Sequence, residues 1–482
     1  MDDTNSQKFS LPDNLLKPLF LASNSSTFTE ALERLIETAK TSNGRFDLAS
    51  KHILVPVLEL CQSPSRLSGK DLLLSIKLLR NLCAGEIENQ NLFIEKNGVE
   101  ILSTIISSIG LTSSSDNGLL RMVLQVLGNV SLAGEEHRLV VWRQFFPLGF
   151  LDIARVQCKE TCDPLCMVIY TCYEGSTNQS AELLGDHGLD IIIEIIRTVT
   201  VAGFREDWVK LLLSRICLEE SCFLSVFSKL SSENSDENGS RINHFGAEQA
   251  FLLSILSEIL NERTGDIVIS NDFSFVLGIL RNAIGIVDFS KKGKSSLPTG
   301  SADIDVLGYT LSILREFIAC DAPKVPNQDE KRDPVDMLVS DGLIKLLITL
   351  LRDLEPPEII KKAMNGTVSN RFKCCPYRGF RRDVVAIIGN CGYHRKHVQD
   401  EIREEGGILL LLQHCVTDED NPFLREWGIW SMRNILEGNS KNQELVANLE
   451  LQKSVDIPEI AAMGLRVEVD PQTRRAKLVN IS

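Results

Sequence analysis

Five tyrosines and sixteen prolines among 482 residues are few for an all-β architecture, whose strands favour aromatics and whose turns favour proline, and this tilts the reading towards helix. Long apolar runs are missing as well. The run from Ile408 to Leu412 falls far short of the roughly 18–20 residues that cross a bilayer. The opening residues, Met1-Asp2-Asp3-Thr4-Asn5, are acidic and polar, with no apolar stretch of the kind a secretory leader needs. Positive charge is in deficit: 51 Lys and Arg face 65 Asp and Glu, a net charge of −14. Such a surface repels phosphate backbones, which disfavours generic nucleic-acid binding.

What is abundant is apolar surface. Hydrophobic residues make up 43% of the chain, ample for a real core and incompatible with global disorder. The thirteen cysteines, an odd number, are scattered through apolar helical patterns, as at Cys61, Cys83, Cys217 and Cys320. There a reduced thiol behaves as a small hydrophobe, so a cytoplasmic protein is expected. The formal glycosylation sequon Asn129-Val130-Ser131 falls inside such a helical pattern, where it would be buried.

One pattern recurs: an apolar helix ending near an Asn, then a short polar pair about eight residues on, then a new apolar stripe. It reads Leu78-Leu79-Arg80-Asn81-Leu82-Cys83-Ala84-Gly85 followed by Asn89-Gln90, and Val126-Leu127-Gly128-Asn129-Val130 followed by His137-Arg138. A degenerate copy runs Val168-Ile169-Tyr170-Thr171-Cys172 with Asn178-Gln179. Two more are Ile387-Ile388-Gly389-Asn390-Cys391 with Val398-Gln399, and Met432-Arg433-Asn434-Ile435 with Asn442-Gln443. The Asn81-to-Asn129 and Asn390-to-Asn434 steps are about 48 and about 44 residues, in the range of helical solenoid repeats. Glycines at Gly98, Gly188, Gly342 and Gly406-Gly407 read as the end of one helix before the next apolar stripe. Asp163-Pro164 and Asp420-Asn421-Pro422 read as further helix starts. The fold class expected is all-α, an armadillo-like right-handed helical solenoid of about ten units, several of them degenerate, whose neighbours share one continuous core.

These residues resemble armadillo repeats, most closely from Glu405-Gly406-Gly407-Ile408 through Asp420-Asn421-Pro422-Phe423 to Trp427, Trp430 and Arg433-Asn434-Ile435-Leu436-Glu437-Gly438-Asn439. A sharper resemblance is to the ataxin-10 family. Its C-terminal signature is carried by Pro376-Tyr377-Arg378-Gly379-Phe380-Arg381-Arg382-Asp383, Ile388-Gly389-Asn390, Glu404-Glu405-Gly406-Gly407-Ile408 and Asp420-Asn421-Pro422-Phe423-Leu424-Arg425-Glu426-Trp427. The signature covers roughly residues 370–470, and armadillo-like character extends weakly over most of the chain. Cys391 stands where many relatives carry Leu, a conservative departure. The resemblance implies a cytoplasmic adaptor, linked in animal members to cell division and neuronal survival, with no catalytic residues to carry over.

The organisation expected is a capping region over residues 1–50, with a helix near Thr29 to Lys40 after Ser25-Ser26-Thr27, then armadillo-like repeats over 51–230. A polar loop follows at 231–247, then degenerate repeats with inserted loops over 248–364, and an ataxin-10-type C-terminal domain and tail over 365–482. The loops 231–246, 288–305 and 321–333 read as ejected surface segments, mobile and open to regulation. The tail alternates at period two from Leu465, as a small hairpin or an extended strand would.

The candidate residues for partner binding are Asn81, Asn129, Asn390 and Asn434, which a solenoid's third helices would bring to its groove. There an amide can bond an extended peptide, or, the weightier reading, tie neighbouring helices together. Only Trp430 stands four residues before such an Asn, so a basic-peptide receptor of the nuclear-import kind is not expected. Trp427 and Trp430 share one helix side, with one expected in the core and the other towards the groove. Arg378, Arg381, Arg382 and Arg425 are the candidate cations. The stretch Arg371, Lys373, Arg378, Arg381 and Arg382, interleaved with Phe372, Tyr377 and Phe380, could grip an acidic partner or RNA, or could simply anchor its aromatics on the solenoid. Cys158, Cys162 and Cys166 lack the paired spacing of zinc sites; Cys391, His394 and His397 look more like a ligand set, but the two histidines fall on a polar turn just past the repeat helix, so no metal and no cofactor are expected.

Enzyme signatures fail. Gly293-Lys294-Ser295 has Asp288 where a phosphate loop needs its first glycine, and no GxGxxG, HExxH or nucleophile elbow is present. The expectation is a non-enzymatic protein-interaction scaffold, with other proteins as partners and self-association open. An RNA adaptor built on residues 371–382 is the alternative.

Overall fold

The computed structural model describes residues 11–109, 117–203, 206–220, 222–231, 244–262, 274–320, 333–363, 372–449, 465–470, 472 and 476–480. Regular structure among them comprises twenty-six α-helices, a 3-10 turn at Pro64–Arg66, a π-helical turn at Arg215–Glu219 and one antiparallel hairpin, Leu465–Val469 with Ala476–Asn480. The chain divides into two compact units, Met1–Asp272 and Phe273–Ser482.

In the first unit the helices Phe28–Thr38, Gly69–Leu82, Asn117–Ser131, Lys159–Tyr173 and Asp207–Ser214 pack one upon the next in chain order. A second row sits behind, with Leu54–Cys61 on Gly98–Ile109 and Leu148–Ala154 on Asp186–Ala202. Each helix buries one apolar stripe, and Leu32, Ile76, Leu79, Val123, Leu127, Leu165 and Leu212 are essentially inaccessible. No helix pair could bury such stripes alone, so the stack is its own core. The second unit repeats the scheme: Ala302–Cys320, Phe380–Cys391 and Leu424–Leu436 pack in succession, with Leu343–Asp353 and Lys396–Glu404 among the helices behind. This is the all-α armadillo-like architecture expected from the periodicity.

The helix ends follow from local chemistry. Ser68 caps Gly69–Leu82 by accepting from the Asp71 N–H at 3.1 Å, and its hydroxyl donates to the Asp71 carboxylate, a reciprocal pair that occupies one free N–H of the first turn. Free carbonyls at the other end are met by the second polar slot. Asn89 and Gln90 donate to Leu82 and Cys83 O at 2.9 Å each, Gln399 to Gly392 O at 3.2 Å, and Asn442 to Ile435 O at 3.0 Å. In these three copies the polar pair is therefore a C-terminal cap that reaches back to the preceding helix, whereas His137 Nε2 and Gln179 Nε2 in the other two find no partner.

Three expectations are corrected. Asp163-Pro164 does not start a helix; Pro164 lies inside Lys159–Tyr173. It stands past the first turn, so its missing N–H forfeits the bond to Glu160 O, and Asp163 accepts from the Trp208 N–H at 3.1 Å, at the start of the next helix of the stack. Gly188 does not end a helix but lies within Asp186–Ala202. Asn97, Gly342 and Gly406 do make the reversal, at φ 55°, 86° and 72°. The segment 288–305 is not ejected. Its backbone is tied to residues 374–378: Cys374 N–H donates to Phe289 O, Gly293 N–H to Cys375 O and Arg378 N–H to Ser295 O, at 2.8–2.9 Å, and Phe289 is buried. Most of 231–246 and 321–333 lies outside the described residues.

Candidate functional site

The asparagines belong to the stacking helices, and three of them spend their amides on the helix before. Asn81 Nδ2 donates to Ile36 O at 3.3 Å, Asn129 Nδ2 to Arg80 O at 2.9 Å and Asn434 Nδ2 to Gly389 O at 3.1 Å. Arg80 and Gly389 each immediately precede the Asn of the previous repeat, so the bond fixes one repeat's register on the next. Glutamines reinforce it from behind, with Gln90 reaching Asn129 O at 2.8 Å and Gln399 reaching Asn434 O at 2.9 Å.

Asn390 departs from the rule. Its Nδ2 is buried and finds no acceptor, and the side chain opens on a pocket of about 560 Å³. Ile318 and Ala319 come to that pocket from Ala302–Cys320, Tyr393 and Arg395 from the turn after Phe380–Cys391, and Glu426, Trp427, Trp430 and Asn434 from Leu424–Leu436. Both tryptophans face it. Trp427 is half-buried rather than in the core, and Trp430 is 47% exposed, with the Arg433 guanidinium 5.1 Å from its ring centroid. Arg395 is buried at the rim and held by Asp333 at 2.9 Å and Asp336 at 3.7 Å. Burial opposes the charge on Asp333, but its bonds to Arg395 outweigh that, and the carboxyl titrates below the usual range. The pocket thus offers aromatic walls and an exposed carboxylate, Glu426, whose neighbour Arg425 stands 3.4 Å away, with the unspent Asn390 amide buried beside it. Ile318, Ala319, Tyr393, Arg395 and Glu426 were not candidates on sequence. No residue pattern links Arg395 to acids some sixty positions away, which only folding brings to it.

The basic stretch comes apart into structural and exposed members. Arg381 is 3% exposed. Its guanidinium pairs with Asp418 at 2.6 Å and donates to Glu355 O, while its N–H donates to Asn421 Oδ1 at 2.9 Å. Arg382 and Arg315 both hold the buried Asp383, at 2.8 Å and 2.6 Å, and Tyr377 donates its hydroxyl to the same carboxylate at 2.8 Å. Burial, then the Asp383 charge, push the Tyr377 phenol well above its ordinary value. Tyr377 and Phe380 pack edge to face, centroids 5.4 Å apart. Arg381 and Arg382 therefore build the fold, whereas Arg378 is exposed; Arg371 lies outside the described residues. Nine of the described cysteines are buried core residues, and Cys222, Cys374 and Cys415 are partly exposed. Burial raises the thiols of Cys61, Cys172 and Cys391 to about 12, and His397 sits 3.0 Å from Asp336.

Consecutive helices tied by amides, with a pocket on the stacking row, define an armadillo-like helical repeat protein. Its particular likeness is to the ataxin-10 family, in line with the sequence signature. Residues 380–479 match the spinocerebellar ataxia type 10 protein domain. The chain is 25% identical to ataxin-10 of Bos taurus over 476 residues, covering 91% of this chain and 92% of the relative. It is 26% identical to ataxin-10 of Homo sapiens over 460 residues, covering 90% and 86%. The ataxin-10 homolog of Dictyostelium discoideum is 35% identical over 111 residues, 23% of this chain and 17% of that one. Among solved structures, an engineered protein aligns over 87% of this chain and 88% of its own, at 13% identity and a TM-score of 0.37. A designed armadillo repeat protein in complex with the peptide (KR)4 aligns over 51% of this chain and 99% of its own, at 16% identity and a TM-score of 0.32. Among the described residues no helix is long and apolar enough to cross a membrane.

Proposed function

We propose that the chain is a non-enzymatic, cytoplasmic interaction scaffold that captures an extended segment of a partner protein in the pocket between Asn390 and Trp430. Asn390 carries this reading. A buried amide donor without an acceptor costs about 1–3 kcal/mol; turning that side chain into the pocket would present it to a partner's backbone carbonyl and relieve the cost, while the partner's side chains cover Trp427 and Trp430. Asn81, Asn129 and Asn434 are spent on repeat geometry, so capture falls to the one ladder position left unpaired. Support for cell division, growth or development through such partners is the wider role that the ataxin-10 resemblance suggests. The RNA alternative has less in its favour, because Arg381 and Arg382 neutralise buried carboxylates and Tyr377 and Phe380 are not available for stacking.

Proximity labelling in cells tests the proposal by comparing the wild type with the double variant Asn390→Ala, Trp430→Ala. The expected result is loss of a defined subset of neighbours at an unchanged melting temperature. Identical neighbour sets would remove the pocket as the capture site.

A further inference from the structure

We propose that residues 288–295 and 373–378 form a preorganised basic ridge that docks a carboxylate-rich peptide segment of a partner protein. The ridge is invisible in the sequence because its halves are some eighty residues apart. The backbone bonds from Cys374, Gly293 and Arg378 to Phe289, Cys375 and Ser295 lay the two segments side by side. They thereby bring Lys291, Lys292 and Lys294 alongside Lys373 and Arg378. Gly293 permits the approach: a Cβ there would lie 1.8 Å from Pro376 O.

The local acids are largely matched already. Asp420 pairs with Lys292 at 2.5 Å, Asp353 with Lys373 at 3.2 Å, and Glu355 and Glu358 with Lys361 at 2.5 and 3.0 Å. Lys291, Lys294 and Arg378 are exposed and make no ion pair with any described residue. The remaining acid nearby is Asp288, which accepts from the Ser290 N–H at 2.9 Å. A surplus of positive charge therefore stands on a chain whose net charge is −14.

Rigidity distinguishes this ridge from scattered surface lysines. Phe289 is buried against Phe380, with centroids 5.9 Å apart. The Gly379 N–H donates to Asp420 O at 2.8 Å, and the turn containing Asp420 is itself held by the Arg381–Asp418 pair. Little backbone order remains to be lost on binding. Arg378 can take a carboxylate through two parallel bonds, and the lysines act as point charges beside it. The occupant is argued from the same inventory. Single-stranded RNA needs aromatic platforms between its phosphate contacts, but Phe289 and Tyr377 of the ridge and Phe380 beside it are buried, leaving Phe372, just before the second segment and 39% exposed, as the accessible aromatic next to the ridge. Carboxylates need only the cations.

The test is fluorescence anisotropy with the full-length protein and fluorescein-labelled decaglutamate in low-salt buffer, with a ten-nucleotide oligouridylate as competitor. Saturable peptide binding is expected, weakened about tenfold or more in the triple variant Lys291→Gln, Lys294→Gln, Arg378→Gln. Lys345→Gln, at an exposed position on Leu343–Asp353, should leave it unchanged. Should the triple variant melt early, Arg378→Gln alone is read and is expected to weaken binding about threefold. Absence of saturable binding, equal binding by the variants, or displacement by oligouridylate at concentrations below those of unlabelled peptide would each overturn the proposal.

Discussion

Asn434 and Asn390 hold the same place in successive repeats, yet one amide donates to Gly389 O and the other to nothing. Truncating them should therefore cost different amounts. Asn434→Ala removes a buried bond that fixes two helices and is expected to destabilise the second unit by about 1–2 kcal/mol. Asn390→Ala removes a donor that has no partner and should cost less than about 0.5 kcal/mol, or stabilise. Urea denaturation followed by the fluorescence of Trp427 and Trp430, in a background where Trp142 and Trp208 are replaced by Phe, compares the two; equal losses would show that Asn390 is paired after all. A second single-residue effect concerns His414, 2% exposed and bonded through Nδ1 to Leu410 O at 2.7 Å. Burial pushes its pKa down to about 4, against an unfolded value near ~6.5. Between those values the unfolded chain binds the extra proton, so stability falls as pH drops from about 6.5 to about 4, by roughly 3 kcal/mol for this group. His414→Gln should flatten that part of the acid limb. A wild-type and a variant curve that stay parallel from pH 7 to pH 4 would contradict the assignment.

At the scale of elements, what decides packing is how closely two helices cross. Phe380–Cys391 meets Leu424–Leu436 at Gly389, where a Cβ would stand 2.1 Å from Ser431 Oγ and 2.7 Å from Ser431 Cα. Gly389→Ala is expected to cost about 1–3 kcal/mol by overpacking. Adding Ser431→Gly should recover part of that cost, because the hydroxyl and Cβ contacts vanish while the backbone contact stays. Purely additive effects in that double-mutant cycle would mean the crossing relaxes elsewhere. The Arg381–Asp418 pair belongs to the same scale, since it joins Phe380–Cys391 to the turn before Leu424–Leu436. Arg381→Glu should unfold the second unit, costing on the order of 3–5 kcal/mol, so a loss of binding in that variant would report on folding, read by circular dichroism.

These elements also show what a sequence reading can reach. The stacking helices were legible because one apolar stripe repeats with an Asn at its end, and the capping role of the polar pairs was hinted at by their fixed spacing. The course of 288–305 was not, because strand-like backbone pairing with 374–378 leaves no periodic trace in polar, glycine-bearing text. Neither was the fate of Arg381 and Arg382, since their carboxylates arrive from Asp418 and, within the stretch itself, from an Asp383 that Arg315 and Tyr377 also claim. Charge counted along the chain cannot say which cations folding will consume. Of the cations it gathered around residue 378, folding pairs Arg381 and Arg382 with carboxylates and leaves Arg378 exposed.

For the whole molecule, the consequence of stacking in chain order is that energy is shared between neighbours and little further. Within the first unit Asn129 bonds Arg80 O and receives Gln90 through its own carbonyl, which couples Asn117–Ser131 to Gly69–Leu82 and to Ile87–Glu95. Asn129→Ala should therefore raise amide hydrogen exchange in those three helices, with smaller increases in the helices that pack on them. Exchange in Phe380–Cys391 and Leu424–Leu436 should stay as it was, because nothing in the nearest-neighbour pattern carries the loss so far. Hydrogen–deuterium exchange read by mass spectrometry under native conditions resolves this helix by helix. A uniform rise across all the helices would instead mean that the chain opens as one cooperative body. The loss at one asparagine would then be felt at the pocket beside Trp430, and the variants that test partner capture would need to be chosen for global stability before their binding could be compared.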